Sequence, residues 1–156
     1  MTALMEARGL SRTLPGDPPV PLVRGIDLDV MPGRFHAVIG PSGCGKSSLL
    51  YLLGLLDRPT GGSLFFEGQD TLPLTGDQRA QLRLERFGFV FQFHFLLPEF
   101  TALENVVLPI RRLGRLSARA AYDRARVTLE SMSLADQAHK TPDRMSGGQR
   151  QRVAIA

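Results

Sequence analysis

Apolar and polar positions along the chain follow two different periods, and the switches between them mark out the elements. Ile26, Leu28 and Val30 alternate with Asp27 and Asp29, the period of two expected of a strand with one buried face. Residues 3–9 read as a shorter strand before it, separated by a loop at Pro15, Gly16, Pro18, Pro19 and Pro21. A turn at Met31-Pro32-Gly33 leads into Phe35, Ala37, Val38 and Ile39, an apolar run that predicts a buried strand. The leucines at 49, 50, 52, 53, 55 and 56 then predict a helix, and Arg58-Pro59-Thr60-Gly61-Gly62 breaks it. Ser63 to Glu67 reads as another strand, closed by Gly68.

The second half is mostly helical in period. A helix is predicted from Thr75 or Asp77 to about Arg86, with Leu82 and the aliphatic stem of Arg83 turned inward. Phe87 to Phe91 predicts a buried strand, with Gln92 directly after it. Thr101-x-x-Glu104 is a capping box that opens a helix through Val106 and Val107, and Pro109 is expected to kink or end it. Ser117 starts a longer helix with Tyr122, Ala125, Leu129 and Met132 on one face. Thr141-Pro142 breaks the chain before Ser146, the N-cap of a last helical run.

One stretch carries chemistry outright. Gly40-Pro41-Ser42-Gly43-Cys44-Gly45-Lys46-Ser47-Ser48 fits G-x-x-x-x-G-K-[ST], between an apolar run and a helical one, which is the context of a phosphate-cradling loop. Its glycines let consecutive amides face one concavity at the positive end of the following helix. Lys46 is placed to reach the β- and γ-phosphates, and the Ser47 hydroxyl to take a place on Mg²⁺. Gln92 offers an amide for the same metal and for orienting a water, although a glutamine after a strand is commonly a loop residue. Ser146-Gly147-Gly148, with two glycines exposing amides at a helix start, is a second potential anion site. The fold class that follows is α/β: a P-loop nucleotide-binding core with an N-terminal antiparallel β layer, and the helical stretch from Thr101 to Lys140 reads as a subdomain inserted into that core.

Composition narrows the partners. The 156 residues are 43% hydrophobic and 22% charged, an ordinary globular balance. No apolar run reaches the eighteen or so residues of a membrane span and no secretory pattern opens the chain, which reads as cytoplasmic. The net charge of +4 raises nucleic acid as a partner, but the arginines alternate with acids, as solvated helix faces do, so none is expected. Cys44 is the single cysteine, and His36, His94 and His139 are too scattered to form a metal site.

Gly40 to Ser48, Gln92 and Met145-Ser146-Gly147-Gly148-Gln149, in this order, resemble the ATP-binding cassette of ABC transporters, with Met145 where leucine is usual in the family signature. Residues 89–106 are similar to the lipoprotein-releasing and macrolide-export group. The resemblance implies an ATPase working as a head-to-tail dimer with a second ATP-binding subunit, ATP lying between the phosphate loop of one copy and Ser146 to Gln149 of the other. Lys46 and Gln92 are then the catalytic contacts, Ser47 and Gln92 the metal contacts. It also implies a single cassette domain over 1–156 that is C-terminally incomplete, with an inserted α-helical subdomain at about 93–145, transmembrane permease subunits as partners, and a place on the cytoplasmic face of the inner membrane. Phe93, Phe95, Leu96, Leu97 and Phe100 suit a surface that such a partner covers, or packing within the helical subdomain. Two departures stand out. Thr13-Leu14 occupies the place of the family's adenine-stacking aromatic, and Ala156 precedes the family's acidic strand end, catalytic glutamate and switch histidine. The alternatives are a soluble ABC protein of translation or DNA repair and a non-catalytic remnant.

Overall fold

The computed structural model describes residues 2–156. The chain divides into two compact units, Met1–Arg83 and Leu84–Ala156, and each is described by itself.

The first unit is built on an antiparallel sheet of order β2-β1-β3-β4, with β1 at Met5–Leu14, β2 at Val20–Val30, β3 at Gly61–Phe66 and β4 at Gln69–Asp70. In β2 the alternation holds: Ile26, Leu28 and Val30 are half-buried while Asp27 and Asp29 are exposed. Both long strands exceed their sequence reading. β1 continues to Leu14, and β2 begins at Val20, so Pro21 is part of a strand and not of the loop. Register shifts near Gly9 and Gly25 make this possible, and side chains satisfy the displaced amides: Gly9 N–H donates to Asp27 Oδ1 at 2.7 Å and Gly25 N–H to Ser11 Oγ at 2.8 Å. Met5, Ala7 and Leu10 of β1, with Leu64 and Phe66 of β3, form the buried face.

Helix α1, Lys46–Leu53, packs against β1 and β2. It ends before the leucine pattern does, because Gly54 caps it and Leu55 turns left-handed at φ 57°. Leu55 is nevertheless buried, 2% exposed, so the stripe continues through a turn instead of a helix. Helix α2, Gly76–Arg86, is opened by a reciprocal cap in which Thr75 N–H donates to Gln78 Oε1 at 2.8 Å and Gln78 N–H to Thr75 Oγ1 at 3.2 Å. Arg83 lies along the inner side as expected, donating to the Leu55 carbonyl at 2.7 Å.

The segments 35–39 and 87–91 are not strands. Neither joins the sheet as a strand among the described residues, and Phe35 and Ile39 are 95% and 90% exposed. An apolar run becomes a strand only through hydrogen bonds to a neighbouring chain segment, which the run itself does not specify.

The second unit is helical. α3, Ala102–Leu113, α4, Ala118–Ser131, and α5, Gly147–Ile155, enclose a core of Leu103, Val106 and Val107 with Leu129, Leu134 and Val153. The α3 capping box is present as read: Thr101 N–H donates to Glu104 Oε2 at 2.8 Å, and Glu104 N–H to Thr101 Oγ1 at 3.3 Å. Pro109 does not end the helix. Ile110 packs on the core one residue later, and the helix stops at Gly114, whose φ of 68° supplies a left-handed cap. In α4 the inward face is Ala121, Ala125 and Leu129, with Tyr122 turned outward at 37% exposure. The small alanines let α3 and α4 approach, which a tyrosine ring on that face would prevent.

Candidate nucleotide-binding site

The phosphate loop leads into α1 through two left-handed glycines, Gly43 at φ 80° and Gly45 at φ 90°. Gly45 is restricted twice: besides its φ, a Cβ there would lie 2.2 Å from the Leu22 carbonyl oxygen of β2. Gly40 is not left-handed, and its restriction is different, since a Cβ would meet Cys44 Sγ at 2.7 Å. The loop packs against β2 at a cavity of about 470 Å³ whose lining includes Leu22, Val23, Val38 and Ile39.

Because the first bond of α1 runs from Leu49 N–H to Gly45 O, the amides of Lys46, Ser47 and Ser48 are not used by the helix. Gly45 caps without a side-chain bond, and the first turn holds no acid that would compete for those amides. The Lys46 ammonium bends back into the loop, donating to the Gly40 carbonyl at 2.9 Å and the Pro41 carbonyl at 2.6 Å. The result is a cation held at the mouth of a free helix N-terminus, a pairing that attracts oxyanions. Ser42 and Ser47 are exposed, Ser48 half-buried, and Cys44 exposed with a free thiol. Ser47 presents a hard oxygen beside the cradle, the donor type that Mg²⁺ takes together with phosphate oxygens.

In the second unit, Ser146 caps α5 with a full capping box. Its Oγ accepts from Gln149 N–H at 3.3 Å, and its own N–H donates to Gln149 Oε1 at 2.8 Å. The first bond of the helix is Arg150 N–H to Ser146 O, so the exposed Gly147 and Gly148 amides stay outside its ladder, and the Ser146 hydroxyl proton is not used by the cap. Met145 is 5% exposed in the core, where its volume replaces that of a leucine with little change in packing.

Gln92 is exposed and follows a segment that has strand-like alternation without a ladder. Phe87, Phe89 and Phe91 stack along one side, with ring centroids 6.1 and 5.7 Å apart. Beyond it, Phe93 and Phe95 are each 70% exposed while Leu96 packs on the helical core, so only part of this apolar run is covered within its own unit. Asn105 shapes the turn that follows: its amide nitrogen donates to the carbonyls of Leu97, Phe100 and Thr101 at 3.0 to 3.2 Å, and its oxygen accepts from Leu97 N–H at 2.8 Å. Sequence reasoning missed Asn105, as it missed His94, Arg150 and Gln151, which bond to one another across 56 residues or more. Lys46 and Ser47 thus lie in one unit, and Gln92 with Ser146 to Gln149 in the other.

Residues 23–156 match the family model described as ABC transporter. The chain belongs to the ABC transporter family. This cassette is 51% identical over 156 residues to "Lipoprotein-releasing system ATP-binding protein LolD 2" of Caulobacter vibrioides, covering 98% of this chain and 67% of that protein. It is 46% identical over 155 residues to "Macrolide export ATP-binding/permease protein MacB" of Syntrophobacter fumaroxidans, covering 98% of this chain and 22% of that one. Among solved structures it is similar to the ATP-binding cassette MJ0796 in a dimeric post-hydrolysis state bound to ADP and Pi, with a TM-score of 0.89 and 35% identity over 97% of this chain and 67% of that one. The cassette therefore spans about two thirds of the length of its lipoprotein-releasing relatives. It is an ATP-binding subunit of the ABC type, with the antiparallel N-terminal sheet and helices that this fold class requires. Among the described residues no helix is long and apolar enough to cross a membrane.

Proposed function

We propose that this chain binds MgATP as part of a transporter that releases lipoproteins from a membrane, and that it acts from the cytoplasmic face through permease subunits. Gly40 to Ser48 hold the phosphates, with Lys46 exchanging the Gly40 and Pro41 carbonyls for phosphate oxygens. Ser47 and Gln92 are the protein ligands of Mg²⁺, which when bound neutralises phosphate charge. Gln92 also orients the attacking water. Ser146 to Gln149 meet the phosphates of a second subunit in a head-to-tail dimer, using the Ser146 hydroxyl and the free amides of Gly147 and Gly148. The helical subdomain is assigned to 93–145, and the exposed Phe93 and Phe95 face the permease. The assignment of substrate rests on similarity to proteins named as lipoprotein-releasing.

The observation that carries the reading is the Lys46 ammonium at the mouth of an uncapped α1, with both left-handed glycines in place. Cys44 reports on it directly, since the exposed thiol sits inside the cradle. MgATP is expected to slow maleimide labelling of Cys44, and the label to block nucleotide binding. Equal labelling rates with and without MgATP would contradict the site. Thr13-Leu14 offers no aromatic face for adenine, so GTP is expected to compete within about tenfold of ATP, a difference of about 1.4 kcal/mol. Lys46, Ser47 and Gln92 hold phosphate, metal and water but none is a carboxylate base, so residues 1–156 alone are expected to bind nucleotide without turning it over. Sustained phosphate release by that chain would contradict this.

A further inference from the structure

Within the unit Leu84–Ala156, His94 is joined to α5 by hydrogen bonds whose directions are fixed by chemistry. Arg150 Nε donates to His94 Nε2 at 3.1 Å, and because a guanidinium has no acceptor, Nε2 must carry a lone pair. The neutral imidazole then holds its proton on Nδ1, which lies 3.2 Å from Gln151 Oε1 and donates to it. With that oxygen so engaged, the Gln151 amide nitrogen faces the Phe91 carbonyl and donates at 3.2 Å. Arg150 also donates through Nη1 to the Pro142 carbonyl at 3.3 Å, tying in the turn that precedes Ser146. Each bond requires the orientation that the next one needs, so the chain Arg150 to His94 to Gln151 to Phe91 has one consistent assignment. It starts on the helix that Ser146 caps and ends on the residue before Gln92. His94, Arg150 and Gln151 are all half-buried, whereas the two neighbours of His94, Phe93 and Phe95, are exposed.

We propose that His94, Arg150 and Gln151 are positioning residues that fasten the backbone at Gln92 to the signature helix, so that a displacement of α5 on meeting phosphate is delivered to the Gln92 amide. The proposal rests on the nucleotide reading of Gln92 and Ser146 given above. An aromatic ring would serve a packing role at position 94 equally well, but only a group that accepts from Arg150 and donates to Gln151 completes the chain.

Two measurements test it. Long-range ¹H–¹⁵N spectra of the chain are expected to show His94 as the Nδ1–H tautomer, with Nε2 unprotonated, and an Nε2–H tautomer would overturn the assignment. The second uses the subunit extended to the length of its relatives and assembled with its permease. There His94→Phe and Arg150→Met are expected to lower kcat for MgATP about tenfold with KM within about twofold, the pattern of lost positioning without lost binding. His94→Gln, which keeps an acceptor for Arg150, is expected to recover most of that rate. Unchanged kcat in His94→Phe, a matching rise in KM, or a His94→Gln variant as slow as His94→Phe would each overturn the proposal. A wild-type assembly that neither binds nor hydrolyses MgATP would count against the nucleotide reading instead, while the tautomer still decides whether the chain of bonds exists.

Discussion

Two helix N-termini of this cassette leave amides outside their own ladders by opposite means. At α1 the cap is Gly45 in a left-handed conformation, with no side-chain bond, and a lysine supplies the charge. At α5 the cap is Ser146 in an extended conformation, locked by a reciprocal bond with Gln149, and the glycines that follow are open. The first is a cradle: left-handed Gly43 and Gly45 curl the backbone, and glycine is needed for that geometry. The second is a surface of two exposed amides, at Gly147 and Gly148, beside a cap that Gln149 fixes. On the function proposed above, the cradle binds phosphate alone, whereas the surface adds contacts to a phosphate already held elsewhere.

Alanine at the glycines separates these cases most strongly. Gly45→Ala meets both a left-handed φ and the Leu22 carbonyl at 2.2 Å, and is expected to destabilise the first unit by about 3 kcal/mol or to distort the loop until nucleotide binding is lost. Gly147→Ala meets open space at an ordinary helical φ, and is expected to stabilise α5 by up to about 1 kcal/mol. Thermal melts of both variants check the pair, and similar losses from the two would erase the distinction.

Ser146→Ala removes the acceptor for Gln149 N–H and is expected to cost about 1 kcal/mol of stability, read from a denaturant midpoint. Thr101→Ala is a control of the same kind on α3, with a similar expected loss and no effect on nucleotide.

These caps were legible in the sequence because each is written within four residues: Thr101 with Glu104, and Ser146 at the head of its run. The tight turn at Gly43 and Gly45 was legible for a similar reason, being written within the nine residues from Gly40 to Ser48. What required the structure is non-local. The apolar runs at 35–39 and 87–91 state a preference for burial but not a partner, and neither forms a strand among the described residues. Whether Tyr122 or Ala121 faces inward depends on how closely α3 approaches α4, which the spacing of α4 alone leaves open. β2 ran through Pro21 because the ladder accommodates it by a register shift, a feature of the pair and not of either strand. His94 looked isolated in sequence, and its partners lie on a helix more than fifty residues away.

A smaller effect distinguishes the two capping boxes by charge. The Thr101 backbone and hydroxyl bonds hold the Glu104 carboxyl below its ordinary pKa, whereas Gln149 in the α5 box does not titrate. A lowered folded-state value stabilises the fold above the ordinary carboxylate range, and that contribution fades as pH falls through the ordinary value to the lowered one. Glu104→Gln is therefore expected to flatten the acid limb of stability against pH slightly, while Gln149→Ala leaves its shape unchanged. Parallel acid limbs in the wild type and Glu104→Gln would contradict the assignment.

The division of labour between cradle and surface is tested most directly by MgATP titration of the monomer, followed by calorimetry at concentrations where no dimer forms. Lys46→Ala is expected to weaken binding roughly 100-fold, about 3 kcal/mol for charge-assisted contacts to phosphate, whereas Ser146→Ala is expected to bind within about twofold of the wild type. Unaltered binding by Lys46→Ala, or an equal loss in Ser146→Ala, would contradict the account.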